Sequence, residues 1–199
     1  MNTLSNYFEW FYLLGYISAT IIRVYFTNKY KPEKNSKKIE CSLDSLLLTI
    51  VGIGMLIPLL YLFTSWFGFG DYNAPVWLKW LGVPTMIGFN WLLFKSHKNL
   101  HKNWSPNIEV LEKQTLVTTG VYGLIRHPMY AAHLLWGISQ AFLLSNWFAG
   151  LSLLLPSIIL CLYRIPREEK LLIESYGKSY LDYCSKTNRL IPSFSSLFS

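Results

Sequence analysis

The chain has 199 residues, of which 52% are hydrophobic and 17% aromatic, and it carries a formal charge of +7. Charged residues make up only 15%, against about 25% in an ordinary soluble domain. That much apolar surface excludes a disordered chain or a collagen-like fibre and exceeds what a soluble enzyme of this size hides, so a membrane protein is expected.

Crossing about 30 Å of hydrocarbon takes about 20 helical residues. Residues 7–26 form the first expected span, apolar apart from Glu9 and Arg23 near its ends. Residues 45–67 form the second and hold no charge, and residues 77–94 form a third with Lys79 at its margin. The run 127–163 contains no Asp, Glu, Lys or Arg. It is too long for one span and suits two, 128–145 and 147–163, turning at Ser145 and Asn146. Pro156 is expected to kink the second arm. A secretory signal peptide is a poor reading of the first segment, which lacks a basic start and a small-residue cleavage pattern. Trp10, Trp66, Trp77, Trp80, Trp91 and Trp147 fall towards span ends, as interfacial aromatics do.

The fold expected is therefore an all-α integral membrane protein, one domain over residues 1–199 with five transmembrane helices and a cytoplasmic C-terminal helical region. Of the 18 basic residues, five spans leave only Lys79 on the opposite face from the rest. Basic residues stay cytoplasmic, so the N-terminus is expected outside and the C-terminus inside. The same pattern explains the net charge, which borders span ends next to anionic lipid. No finger, helix-turn-helix or RNA-binding signature points to nucleic acid. Cys41, Cys161 and Cys184 have neither CxxC nor Cys/His spacing, which indicates no disulfide framework and no structural metal.

Two cytoplasmic stretches, 103–130 and 164–192, hold more than solubility requires. In the first, Gly120 permits a turn and Pro128 suits a helix start, which puts Arg126, His127 and Tyr130 at one helix mouth. By itself this reads as a set of interfacial anchors. In the second, Arg164 and Glu168 are spaced i, i+4. They make either a surface ion pair or a guanidinium at the bilayer edge that needs an anion, with a carboxylate one turn further out. His97 and His101 read as an exposed helix face, His133 as a polar contact between helices, and Gly52, Gly54, Gly68 and Gly70 as packing and turn glycines.

The order Leu-Val-x-x-Gly-Val-Tyr (116–122), Arg-His-Pro-x-Tyr (126–130), an apolar hairpin, Arg-x-x-x-Glu-Glu (164–169), Tyr-Gly-x-x-Tyr-x-x-Tyr (176–183) and a late Arg-Leu-Ile-Pro (189–192) resembles the isoprenylcysteine carboxyl methyltransferase family, in a compact prokaryotic-type form. The resemblance implies S-adenosylmethionine in a cytoplasmic pocket with no Rossmann sheet. The residues it places there are Asn107, Gln114, Thr115, Leu116, Val117, Tyr122, His127, Pro128, Met129, Tyr130 and Glu168. It also implies that Arg164 faces the carboxylate of a lipophilic, prenylated acceptor entering sideways from the bilayer, with Arg164 and Glu168 as the catalytic pair. The alternatives are a phospholipid N-methyltransferase, which would need a base such as His127, Glu168 or Glu169, an NADPH-dependent sterol-reductase-like enzyme, and a non-catalytic scaffold.

The charge pattern yields a topology test. External thiol labelling should modify a cysteine placed at Asn146 and spare one placed at Ser195; the reverse pattern would overturn the orientation.

Overall fold

The computed structural model describes residues 3–30, 42–103 and 115–192. These form eight α-helices: α1 Thr3–Lys29, α2 Ser42–Phe63, α3 Val76–Leu100, α4 Val121–Leu124, α5 Pro128–Leu143, α6 Trp147–Leu151, α7 Leu154–Tyr176 and α8 Lys178–Lys186. Among the described residues there is no strand, only isolated bridges at Asp71–Asn146 and Ile125–Asn188.

Helix α5 is the spine of the bundle. It lies along α3 in the most extensive contact of the fold and also touches α1, α6 and α7. Ala131, Ala132, Trp136, Gly137, Gln140 and Leu143 are buried along it, with Trp136 stacked on Phe89 of α3. Two polar pairs lie inside the bundle: Tyr12 Oη donates to Gln140 Oε1 (2.8 Å), and Ser139 Oγ donates to the Gly82 carbonyl (3.0 Å). Without water, each buried polar group has to find such a partner.

The outer faces are apolar. Leu14, Ile21, Ile53, Leu56, Leu155, Ile159 and Leu162 all point outward, the reverse of a soluble helix and the pattern of a bundle meeting hydrocarbon. Two helical runs, α2 and residues 147–176, are long and apolar enough on their own to cross a bilayer.

Helices stand at all five expected positions, with shifted ends. The second stops at Phe63, the third continues to Leu100, and the fourth has only 16 residues. At 1.5 Å per residue that is about 24 Å, less than a full hydrocarbon core. The fifth is divided at Ser152 and Leu153 and then runs on to Tyr176. Pro156 lies just after this break, in the first turn of α7, where a backbone N–H has no helical partner to lose.

Pro58 explains why α2 meets the α6–α7 junction where it does. Proline has no N–H to give the carbonyl four residues back, that of Gly54. Ser152 Oγ supplies the missing donor at 2.9 Å. Gly54 also permits the approach itself, since a β-carbon there would stand 2.2 Å from the Ser152 carbonyl oxygen.

Asn146 anchors the end of the bundle opposite the α1 and α3 C-termini. It caps α6 through its Oδ1, and its Nδ2 donates to the Phe67 carbonyl (2.6 Å) and Asp71 Oδ1 (2.8 Å). Asn146 is therefore buried and a poor labelling position. The exposed neighbour Trp147 is the better one, while Ser195 lies outside the described residues.

The glycine geometry makes a paired prediction for thermal unfolding in detergent. Gly54→Ala should destabilise by about 1–3 kcal/mol through overpacking. Gly52→Ala, whose β-carbon meets nothing within 4 Å, should be neutral or stabilising by up to about 1 kcal/mol.

Candidate active site

The two motif stretches are joined backbone to backbone. Gly120 has φ +64°, and a β-carbon there would come within 2.5 Å of Asn99 Oδ1. The same Asn99 oxygen accepts from the Val121 N–H at 3.2 Å, which pins the loop to α3. Beyond α4, the Arg126 N–H donates to the Asn188 carbonyl (2.8 Å) and the His127 N–H to the Arg189 carbonyl (2.9 Å). Tyr183 Oη closes the third side by donating to the Tyr122 carbonyl at 2.5 Å.

Glu168 and Glu169 are neighbours on α7 and so point about 100° apart. Glu169 turns into the joint between the stretches. Its Oε1 accepts from Arg126 Nε (3.0 Å) and its Oε2 from Arg189 Nη2 (2.6 Å), with His127 Nε2 3.4 Å away. Burial would raise the Glu169 pKa, but hydrogen bonds from His127, Arg189 and Arg126 outweigh it and hold the carboxyl at about 2. Arg126 Nη1 also donates to the Cys184 and Thr187 carbonyls.

Glu168 turns the other way, into a cavity of about 420 Å³. Tyr130 Oη donates to its Oε1, and His127 Nδ1 lies 3.5 Å from its Oε2. His127 is thus held between two carboxylates. Burial works against its charged form, but the hydrogen bonds to Glu168 and Glu169 prevail and raise its pKa above the ordinary value.

By its lining the cavity can be divided into two arms. Thr115, Leu116, Val117, Tyr122, His127, Pro128, Met129, Tyr130 and Glu168 make up the first, together with Tyr176, Tyr180 and Tyr183. Leu48, Val51 and Met55 of α2 and Leu160 and Cys161 of α7 make up the second, apolar arm, while Arg23, Arg126, His133 and Ser157 also line the cavity. Arg164 stands one helical turn from both Cys161 and Glu168, and so lies between the arms. Asn107 and Gln114 lie outside the described residues.

Arg164 does not form the expected i, i+4 pair with Glu168. Its Nε lies 2.9 Å from Oδ1 of Asp44, in the first turn of α2, and both side chains are nearly buried. Carboxylates are favoured at a helix N-terminus, and Tyr130 has already engaged Glu168. Asp44 had no motif to mark it; the one sequence signal was an acidic residue just ahead of a long apolar run. Glu169 and Arg189 were likewise read only as part of a pattern.

The histidine reading also changes. His97 is buried, not exposed, and its ring stacks on Phe26 at 5.4 Å between centroids, while Tyr30 Oη and His101 Nδ1 are 3.0 Å apart. No group of three His, Cys, Asp or Glu side chains among the described residues is placed to hold a metal ion.

Apolar-faced helices around a cavity lined by both charged and apolar side chains define a helical membrane protein. Residues 81–174 match the isoprenylcysteine carboxyl methyltransferase family. A protein-S-isoprenylcysteine O-methyltransferase of Dictyostelium discoideum is 26% identical over 178 residues, 86% of this chain and 72% of the relative. One of Xenopus laevis is 32% identical over 125 residues, and there the alignment spans 61% of this chain but only 43% of the relative. The solved structure of the eukaryotic intramembrane Ras methyltransferase ICMT superposes with a TM-score of 0.58 at 22% identity, covering 93% of this chain and 67% of that one. The likeness to the isoprenylcysteine carboxyl methyltransferase family thus lies in residues 81–174, just under half of the chain.

The ion cluster predicts a stability optimum in pH. Glu169, with its pKa depressed from 4.5, stabilises the fold above that value and loses the contribution as pH falls towards about 2. His127, raised from 6.5, contributes fully below that value and loses its share as pH rises through the folded pKa. Thermal midpoints in detergent should therefore fall on both sides of this window. Glu169→Gln should flatten the acid limb and His127→Gln the alkaline one.

Proposed function

We propose that this chain is an S-adenosylmethionine-dependent methyltransferase that methylates the carboxylate of an S-prenylated cysteine or a similar lipophilic acceptor at the membrane surface. The observation that carries this reading is the two-armed cavity with Arg164 between a carboxylate-bearing arm and an apolar one. The first arm fits a sulfonium cofactor because Glu168 presents a carboxylate there among tyrosine rings, and a cation is favoured beside both. Thr115 to Val117, Tyr122 and His127 to Tyr130 would hold that cofactor, with Asn107 and Gln114 proposed alongside them from the resemblance. The apolar arm fits a prenyl chain reaching in sideways from lipid between α2 and α7.

S-adenosylmethionine, when bound, supplies a sulfonium methyl group that passes in line to a carboxylate oxygen as the C–S bond breaks and sulfur keeps the electron pair. A carboxylate of ordinary pKa near 4 is already ionised at pH 7, so no residue has to act as a base. Arg164 orients the acceptor carboxylate, and Glu168 fixes the positive end of the donor. A site that sheds water when both ligands are bound would favour a step in which opposite charges cancel. The cytoplasmic face is assigned to the end of the bundle bearing Arg126, Arg164 and Arg189, with five spans and the N-terminus outside.

Titration in detergent should show binding of S-adenosylmethionine and none of NADPH; the opposite result would mean a reductase. Glu168→Gln should weaken cofactor binding by removing a charge-assisted contact. Arg164→Lys keeps the charge but loses the planar fork. It should lower methyl transfer at least about tenfold, about 1.4 kcal/mol of transition-state stabilisation, with cofactor affinity near wild type. If an amine-headed lipid is methylated in preference to a prenylcysteine acid, the phospholipid methyltransferase reading replaces this one.

A further inference from the structure

Arg164 has a fixed anionic neighbour besides any acceptor. Asp44 Oδ1 lies 2.9 Å from Arg164 Nε, with side-chain exposures of 12% and 7%. Arg164 lines the cavity, whereas Asp44, 2.9 Å from its Nε, is not among the lining residues. The Nε–H is not aligned on that oxygen as in a directed hydrogen bond, so the contact acts chiefly through charge. Asp44 also begins the α2 stripe that continues through Leu48, Val51 and Met55 along the apolar arm, at helical spacing. The ion pair therefore ties the wall of that arm to the residue at its polar end.

We propose that Asp44 is a positioning residue that sets the effective charge of Arg164 towards the acceptor. The proposal rests on the carboxyl methyltransferase reading and follows from how charge changes along that reaction. As the methyl group moves from sulfur to the carboxylate oxygen, the sulfonium loses its positive charge and the carboxylate its negative charge, and no proton is transferred. A guanidinium with no counter-charge would stabilise the full carboxylate charge of the ground state more than the reduced charge of the transition state. Binding energy spent that way lowers KM and also lowers kcat. With Asp44 beside its Nε, Arg164 keeps its planar donor geometry while its net field in the cavity is reduced. The acceptor is then aligned without being held as a stable ion pair.

The test separates this role from a structural one. Asp44→Asn should lower KM for a prenylcysteine acid at least about threefold and lower kcat by a similar factor, with cofactor affinity unchanged. Asp44→Glu should restore both constants towards wild type. A structural contribution alone would raise KM, or lower kcat without lowering KM, and either result overturns the proposal, as does an unchanged Asp44→Asn. The wild-type protein provides a check that needs no variant. It should bind the acid and the carboxamide of the same prenylcysteine within about tenfold of each other, while methylating only the acid. A preference for the acid of about a hundredfold or more in binding would mean an unattenuated Arg164 and overturn the role of Asp44, even if Asp44→Asn does not accumulate. Wild-type protein that methylates no acid acceptor removes the carboxyl methyltransferase reading and the Asp44 role together. Normal wild-type turnover beside an unchanged Asp44→Asn removes only the latter.

Discussion

The joint at Glu169 is the interaction on which the site depends. One nearly buried carboxylate receives Arg126 from the loop before α5, Arg189 from beyond α8 and the ring edge of His127. Removing Arg126, whose side chain is nearly buried, should cost more than losing a surface pair, whereas Arg189 is more than half exposed and should cost less. The backbone bonds from Arg126 and His127 to residues 188 and 189 add a second tie between the same segments. The cavity wall is therefore set by a cluster at its edge, of which Arg126 and His127 themselves line the cavity, and Glu168 and Tyr130 are held in place beside them.

Adjacent carboxylates on one helix thus serve different ends. Glu169 is committed to the joint, whereas Glu168 keeps a quarter of its side-chain surface open and faces the cavity. His127 lies between them, with one ring nitrogen towards each. A change of charge on either side is felt through that ring, so stability and ligand binding share a titrating group at this point.

Inside the bundle, the main backbone irregularity is accounted for locally. Pro58 leaves the Gly54 carbonyl without its helical donor, and Ser152 provides one from the α6–α7 junction. That junction is also where the last long helical run breaks, with Gln140 Nε2 donating to the Ala149 carbonyl at 2.6 Å. Where hydrocarbon replaces water, such an irregularity persists only if a neighbouring helix supplies the missing partner. The break, the proline and the close glycine contact are for this reason found together.

Hydropathy alone located the helices, because an apolar run long enough to reach across lipid has few other stable forms. The ordered motifs of residues 103–192 likewise pointed to the likeness that the match over residues 81–174 bears out, since a backbone turn at Gly120 and a helix start at Pro128 depend on local chemistry. Helix ends were less legible: the fourth helix stops at Leu143 and the fifth divides near Ser152 because of contacts with α2, α3 and α5 that no local pattern records. The pairing of charges was not legible at all. Sequence spacing suggests Arg164 with Glu168, four residues apart, but Tyr130 engages Glu168 and Asp44 of α2 meets Arg164 across 120 positions. Spacing along a helix shows which groups share a face. Which of them pair depends on the charges that other helices bring to that face, and only the packed bundle decides that.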